Sequence, residues 1–180
     1  MQTERLFLRE FRLDDFRDVR AYALREEFYR YIPIEVPTET STHAFLKERV
    51  ADALIEIGDG FTFALELREN SRVIGAVRID TSSVNDRAAS IGYGLNPDYW
   101  KRGYMSEAVK AVLAFGFGQM RMHRIWATVD PDNEASWRLL ERLGMHREGL
   151  LRDEKLLRGT WRDSYLYAIV ATRSNASLSS

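Results

Sequence analysis

Cysteine is absent from this 180-residue chain. That excludes a disulfide framework, thiolate zinc sites, iron–sulfur clusters and any thiol nucleophile of the protein's own. Histidine is nearly absent too. His43, His123 and His146 lie far apart and offer no metal-ligand spacing, so no metal is expected. Charge of one sign is not in surplus: 26 basic residues face 27 acidic ones, for a net charge of −1. A bulk footprint for nucleic acid is therefore missing, although a local basic patch is not excluded. Long hydrophobic runs are lacking as well. The longest apolar-plus-glycine stretch, Ala111–Gly118, is too short to span a bilayer. Glu4 and Arg5 interrupt the opening MQTERLFLRE, which does not read as a secretory signal. These absences together predict a cytoplasmic protein with neither a nucleic-acid nor a membrane partner.

What is present suits a soluble globular chain: 45% apolar and 29% charged residues in 20.9 kDa. A chain of this size buries about 70% of its unfolded surface and needs no staple. One domain is expected over residues 1–172, followed by a small, polar, mobile tail at 173–180.

Leu6, Leu8 and Phe11 suggest an opening strand. Asp14 and Asp15 are placed to cap a helix through Val19, Tyr22 and Leu24. Pro33 and Pro37 make Tyr29–Pro37 a loop. Thr40, Ser41 and Thr42 precede an amphipathic helix marked by Phe45, Val50, Ala53 and Ile57, which Gly58–Gly60 stops. Alternation in FTFALEL and the turn at Asn70 predict a hairpin, with the next strand ending before a loop at Thr81–Arg87. A strand at Ala88–Leu95, a helix at Met105–Phe117, a strand at Arg124–Val129 and a helix at Glu134–Leu143 follow. Strand material from Leu150 closes with Tyr165–Thr172. The pattern predicts an α+β, three-layer architecture with a mixed sheet.

Chemistry concentrates where the strand ending at Leu95 meets the helix beginning near Tyr104–Ser106. A helix start leaves N–H groups unpaired and carries about half a positive charge. Gly103 allows close backbone approach, and Lys101 and Arg102 add cations. The combination suits a phosphate. An ordinary strand-to-helix connection with a solvated Lys-Arg pair accounts for the same residues. The spacing fits neither a Walker loop nor a dinucleotide-binding loop.

The run Asn96-Pro97-Asp98-Tyr99-Trp100-Lys101-Arg102-Gly103-Tyr104-Met105-Ser106-Glu107-Ala108 resembles the coenzyme-A-binding motif of the GNAT acetyltransferases, Q/R-x-x-G-x-G/A. Gly103 falls on its central glycine. Trp100 and Met105 depart from its first and last positions. A second run, TVDPDNEASWRLLERLGMHREG, resembles the family's N-x-x-S-x-x-L-x-E-K-x-G-F, with Asn133, Ser136, Leu139, Glu141 and Gly144 matching. The opening TERLFLREFRLDD, Arg30–Pro33 and Gly159–Val170 resemble the branch of ribosomal-protein N-terminal acetyltransferases. The resemblance covers about residues 3–171.

The resemblance implies a GNAT-like α+β fold. It has a mixed, mostly antiparallel central sheet with one splayed strand pair and helices on both faces. It implies direct acetyl transfer from acetyl-coenzyme A to a primary amine, either a protein N-terminal α-amine or a small-molecule amine. A non-catalytic acyl-coenzyme-A sensor is the alternative. The implied cofactor contacts are Leu95, Lys101, Arg102, Gly103, Tyr104, Met105, Ser106, Asn133 and Ser136. The pantetheine arm would enter between Ser90–Leu95 and Arg124–Val129. Gly92 and Gly94 would relax the strand there or allow close packing. A backbone N–H near Leu95 would polarise the thioester carbonyl. The tyrosine that many members use to protonate the leaving thiolate is replaced by Leu140, and Ser136 would lie near the thiol. Asn133 and Ser136 also suit a helix N-cap and its N3 position. Glu107 suits a structural hydrogen bond better than a general base. Glu26, Glu27 and Glu35 are further carboxylates that would face an acceptor. A homodimer is compatible with all of this.

Overall fold

The computed structural model describes residues 1–32, 40, 41, 43, 44, 47 and 60–171. Among the described residues there are seven strands, β1 (Leu6–Arg9), β2 (Gly60–Leu67), β3 (Val73–Ser83), β4 (Ala88–Leu95), β5 (Arg124–Val129), β6 (His146–Leu157) and β7 (Thr160–Val170). The α-helices whose bounds lie within the described residues are α1 (Phe16–Ala23), α2 (Glu26–Tyr29), α3 (Tyr104–Gly118) and α4 (Glu134–Arg142). One sheet runs β1-β2-β3-β4-β5-β7-β6. Every neighbouring pair is antiparallel except β4 and β5, which are parallel. The mixed, mostly antiparallel α+β sheet is therefore present as expected.

Strand alternation sorts the core to two faces. Leu65, Ile74, Val77 and Ile79 join Ala108, Val109 and Val112 of α3 and Leu139 and Leu140 of α4 in the larger cluster. Ala64 and Val73, one position out of phase, pack with Val19, Tyr22 and Ala23 of α1. Helices thus cover both faces. Gly116 lets α3 sit close to the sheet, because a Cβ there would come within 2.6 Å of Ile125 Cδ1.

Several boundaries differ from the sequence reading. Phe11 is buried but lies beyond β1, where it packs under α1. The segment read as loop from Tyr29 begins just after a short helix, α2. β3 runs on to Ser83 through a bulge, because Ser83 still pairs with Ala88. The strand material near the end is a hairpin, β6–β7, turning at Arg158 and Gly159, both at positive φ. β7 lies inside β6, next to β5. Thr40, Ser41, His43, Ala44 and Lys47 are helical. The rest of that expected helix, Glu35 and the tail after Ala171 lie outside the described residues. No helix among the described residues is long and apolar enough to cross a membrane.

Candidate active site

The parallel pair is incomplete. β4 and β5 pair only at Ala88↔Arg124, Ala89↔Ile125 and Ser90↔Trp126, and from Ile91 onward a gap opens between them. Strand alternation decides which groups face it. Asn96 N–H turns to β3, donating to Ile74 O at 2.7 Å. Leu95 and Tyr93 therefore present their N–H and C=O groups to the gap. Trp100 Nε1 donates to the Leu95 carbonyl at 2.8 Å, which leaves the Leu95 N–H as that residue's gap-facing donor. Trp100, at the departing motif position, thus braces the end of β4.

Gly94 serves packing. A Cβ on it would come within 2.6 Å of the Phe28 ring, which lies over the strand. At Gly92 a Cβ would meet nothing within 4 Å, so close packing does not account for that glycine.

The gap joins two cavities, of about 450 Å³ and about 770 Å³, that share residues of the α2 segment (Phe28, Tyr31, Ile32), of β4 (Tyr93, Gly94) and of the start of α4 (Asn133, Ser136). The larger opens beside the loop before α3. There Asn96, buried, accepts Asp98 N–H and starts the turn Pro97–Tyr99. Lys101 (φ 60°) and Gly103 (φ 82°) are left-handed, and Gly103 caps α3. Alternating left- and right-handed backbone turns successive N–H groups to one side, an anion-binding geometry. The first N–H groups of α3, at Tyr104, Met105 and Ser106, have no carbonyl a turn back to bond. Lys101 is exposed and lines this cavity, whereas Arg102, exposed as well, does not line it and lies over the Tyr99 ring, 5.5 Å from its centroid. Met105 is buried against the main core, and what remains of its surface lines this cavity.

An arm from the N-terminus holds the loop. Arg5 Nη1 donates to Arg102 O at 2.9 Å, and Arg5 Nε to Glu107 Oε2 at 2.7 Å. Glu107 Oε1 also accepts from Thr3 Oγ1 at 2.6 Å and from Arg5 N–H at 2.8 Å. Burial alone would raise the Glu107 carboxyl, but these hydrogen bonds and the Arg5 charge outweigh it and hold the group below its usual range. Glu107 is thus a structural acceptor. Nothing in its spacing revealed partners 102 and 104 residues away.

Across the gap, Asn133 caps α4, its side-chain oxygen accepting Ser136 N–H at 3.3 Å. Ser136 Oγ lies 2.8 Å from Tyr93 Oη. Burial pushes the Tyr93 phenol up to about 12, against the lowering effect of the Ser136 hydrogen bond. Leu140, at the position of the missing tyrosine, is fully buried in the core. Sequence reasoning missed Tyr93. Its signal was an aromatic hydroxyl between two glycines on the strand that ends at Leu95.

The smaller cavity lies on the opposite side, under the β6–β7 hairpin. Arg162 bonds both carboxylate oxygens of Asp130 at 2.9 Å, and Lys155 Nζ donates to Thr128 Oγ1 at 2.7 Å. Burial would raise Asp130, yet Arg162 and the Asp132 N–H lower it. Arg158 at the hairpin tip donates to Tyr29 O at 2.7 Å, and Tyr31 Oη donates to Asp132 O at 3.0 Å, tying the α2 segment across the gap. Glu26 is exposed, and Glu27 pairs with Arg25 at 3.2 Å and lines the larger cavity. No cluster able to hold a metal occurs among the described residues.

A splayed parallel pair, a left-handed glycine at a helix start and a cavity on each side define the acetyltransferase class that the motifs resemble. A family model described as "Acetyltransferase (GNAT) domain" matches residues 5–146, and the chain belongs to that family. Over 173 residues it is 34% identical to the uncharacterized N-acetyltransferase YnaD of Bacillus subtilis, across 96% of this chain and 98% of that one. It is 32% identical over 113 residues to the ribosomal protein uS5-alanine N-acetyltransferase of Escherichia coli, across 62% of this chain and 58% of that one. Among solved structures, a GNAT-family acetyltransferase from Bacillus anthracis superposes with a TM-score of 0.83 at 32% identity, covering 94% of this chain and 97% of the other. Mycobacterium smegmatis RimJ, in complex with CoA-disulfide, superposes with a TM-score of 0.80 at 26% identity, covering 93% and 86%. The protein is an acetyl-coenzyme-A-dependent N-acetyltransferase, and it resembles the RimJ branch of the family.

Proposed function

We propose that the acceptor is an α-amine, that of a peptide or protein N-terminus, and that it enters through the smaller cavity. One observation carries this. Asp130 and Asp163, the carboxylates among the described residues lining that cavity, are both engaged, Asp130 by Arg162 and Asp163 by the Asp153 N–H. Asp130, held below its ordinary range by Arg162, is a weak base, and Asp163 has one carboxylate oxygen taken by that N–H. An α-amine titrates near pH 7.7–8.0 and is partly neutral without a strong base, whereas an alkylamine near about 10.4 is not. The relative that modifies a ribosomal-protein alanine agrees with this choice.

In this reading the N–H groups of Gly103–Ser106 would hold the pyrophosphate of acetyl-coenzyme A, with Lys101 at the cavity and Arg102 adding charge nearby. Bound there, acetyl-coenzyme A would supply an activated acetyl thioester. The Leu95 N–H donates to the thioester carbonyl oxygen as it gains charge. The Ser136 hydroxyl faces the sulfur, and Asn133 keeps the start of α4 in place. Residues 1–172 act as one acetyltransferase domain, in the cytoplasm.

The test is a panel of peptides with free and blocked N-termini, polyamines and aminoglycosides, read by thiol release. Turnover on free peptide N-termini, lost on blocking, is expected. Preference for polyamines or aminoglycosides would overturn the acceptor class. Acetyl-coenzyme A binding with no turnover on any amine would make the protein a sensor.

A further inference from the structure

The gap holds a half-buried hydroxyl pair contributed by two different elements. Tyr93 rises from β4, two positions before Leu95, and Ser136 stands in the first turn of α4. Their oxygens are 2.8 Å apart, and Tyr93 Oη is also 3.4 Å from the Ser136 carbonyl. Both residues line both cavities, so the pair sits at the throat where the two sides of the reaction meet. Leu140 packs into the core, so this helix brings no phenol of its own at that position.

The two hydroxyls are chemically unequal. A phenol is far more acidic than an alkyl alcohol, so the pair is lowest in energy with the phenol donating and the serine oxygen accepting. The serine's own hydrogen is then free of the pair and turns into the gap. Asn133 holds the Ser136 backbone N–H, which fixes the direction of Cβ and hence of Oγ.

We propose that Tyr93 is a positioning residue for the acetyl transfer, donating to Ser136 Oγ so that the Ser136 hydrogen points at the departing sulfur. This rests on the placement of Ser136 in the proposed function. As the amine nitrogen forms its bond to the acetyl carbon, the carbon–sulfur bond breaks and the electron pair leaves on sulfur. The Ser136 O–H donates to that developing thiolate. The proton that finally neutralises it comes from the nitrogen of the adduct by way of solvent. Tyr93 keeps its proton throughout, consistent with a phenol whose burial holds it far above neutral pH.

The test compares wild type, Tyr93→Phe, Ser136→Ala and the double variant. Readouts are steady-state kinetics on the best amine of the panel, calorimetric coenzyme A affinity and thermal melts. Tyr93→Phe is expected to lower kcat about tenfold, with the KM for acetyl-coenzyme A and the coenzyme A Kd within twofold of wild type. Ser136→Ala is expected to lose at least as much, and the double variant to match Ser136→Ala within twofold, because one hydroxyl acts through the other. Wild-type kcat in Tyr93→Phe overturns the proposal. So does a double loss equal to the product of the single losses, or a loss expressed in KM and Kd alone. If Tyr93→Phe does not fold, Ser136→Ala decides: with no hydroxyl left to position, wild-type kcat there overturns the proposal. A wild type that releases no thiol with any amine overturns the proposed function as well, whereas an active wild type with an equally active Tyr93→Phe overturns this proposal alone.

Discussion

The two sides of the gap are built from different material. The larger cavity ends on backbone: a left-handed glycine, the first amides of α3, and an N-terminal arm whose hydrogen bonds converge on Glu107 and on the Arg102 carbonyl. The smaller cavity ends on side chains: Arg162 on Asp130, Lys155 on Thr128, and the hairpin tip on the α2 segment. A backbone site tolerates changed side chains as long as the chain keeps its path, which is why Trp100 and Met105 can stand at departing motif positions. A side-chain site changes its preference with each substitution. The difference teaches that the cofactor should be legible from a short motif, while the acceptor should not.

The largest test of that contrast strikes the backbone. Gly103→Asp puts a Cβ on a residue at φ 82° and 3.3 Å from Arg5 Nη2, and adds a negative charge where an anion would sit. We expect coenzyme A affinity to fall by more than about a hundredfold by calorimetry, about 2.7 kcal/mol or more, while circular dichroism and the melt show a folded protein. Affinity within threefold of wild type would remove the loop from the site. The opposite side is struck by Arg162→Ala, which leaves the Asp130 carboxylate without its bidentate partner. There the KM for the acceptor should rise about tenfold while that for acetyl-coenzyme A stays within twofold. Equal movement of both constants would show that the two sides are not independent.

How much was legible follows the same division. Period-two spacing placed Leu6 and Leu8 and β2, a helix pattern placed α3, and flanking turn residues bounded β4 and α4, because these signals are local. The motif located Gly103, Asn133 and Ser136, and the expected N-cap at Asn133 is present. The hairpin β6–β7 was read as undivided strand material, because its turn, Arg158-Gly159, is a weak local signal. Its place in the sheet is a long-range fact. Tyr93 was invisible for a similar reason: its partner is 43 residues away, on another element. Arg162 on Asp130 spans 32 residues, and no spacing rule foretells it. Gly94 was open between strand flexibility and packing, and the Phe28 ring decides for packing.

The smallest expected effect concerns the arm, which is made of side chains although it serves the backbone site. Glu107 is held below its ordinary range in the folded protein. A carboxyl depressed by folding contributes stability above its unfolded value of about 4.3, and that contribution is lost as pH falls through the folded value. Glu107→Gln keeps the shape but gives up the charge that Arg5 and Thr3 bind. At pH 7 it should cost about 1–3 kcal/mol, which for a chain of this length is about 2–4 °C of melting temperature per kcal/mol. Coenzyme A affinity should fall a few-fold, because Arg5 also carries the Arg102 carbonyl. The gap between wild-type and variant melting temperatures should be constant from pH 7 to about 5 and narrow below about pH 4, as the wild-type carboxyl takes up its proton. A gap that widens with acid would reverse the sign and make Glu107 a group stabilised in its protonated form. A gap that never narrows would assign the stabilisation to shape rather than charge. Narrowing together with a parallel loss of coenzyme A affinity would tie the anion loop to the arm, and so make the backbone side of the gap depend on three side chains, Thr3, Arg5 and Glu107, that the motif does not contain.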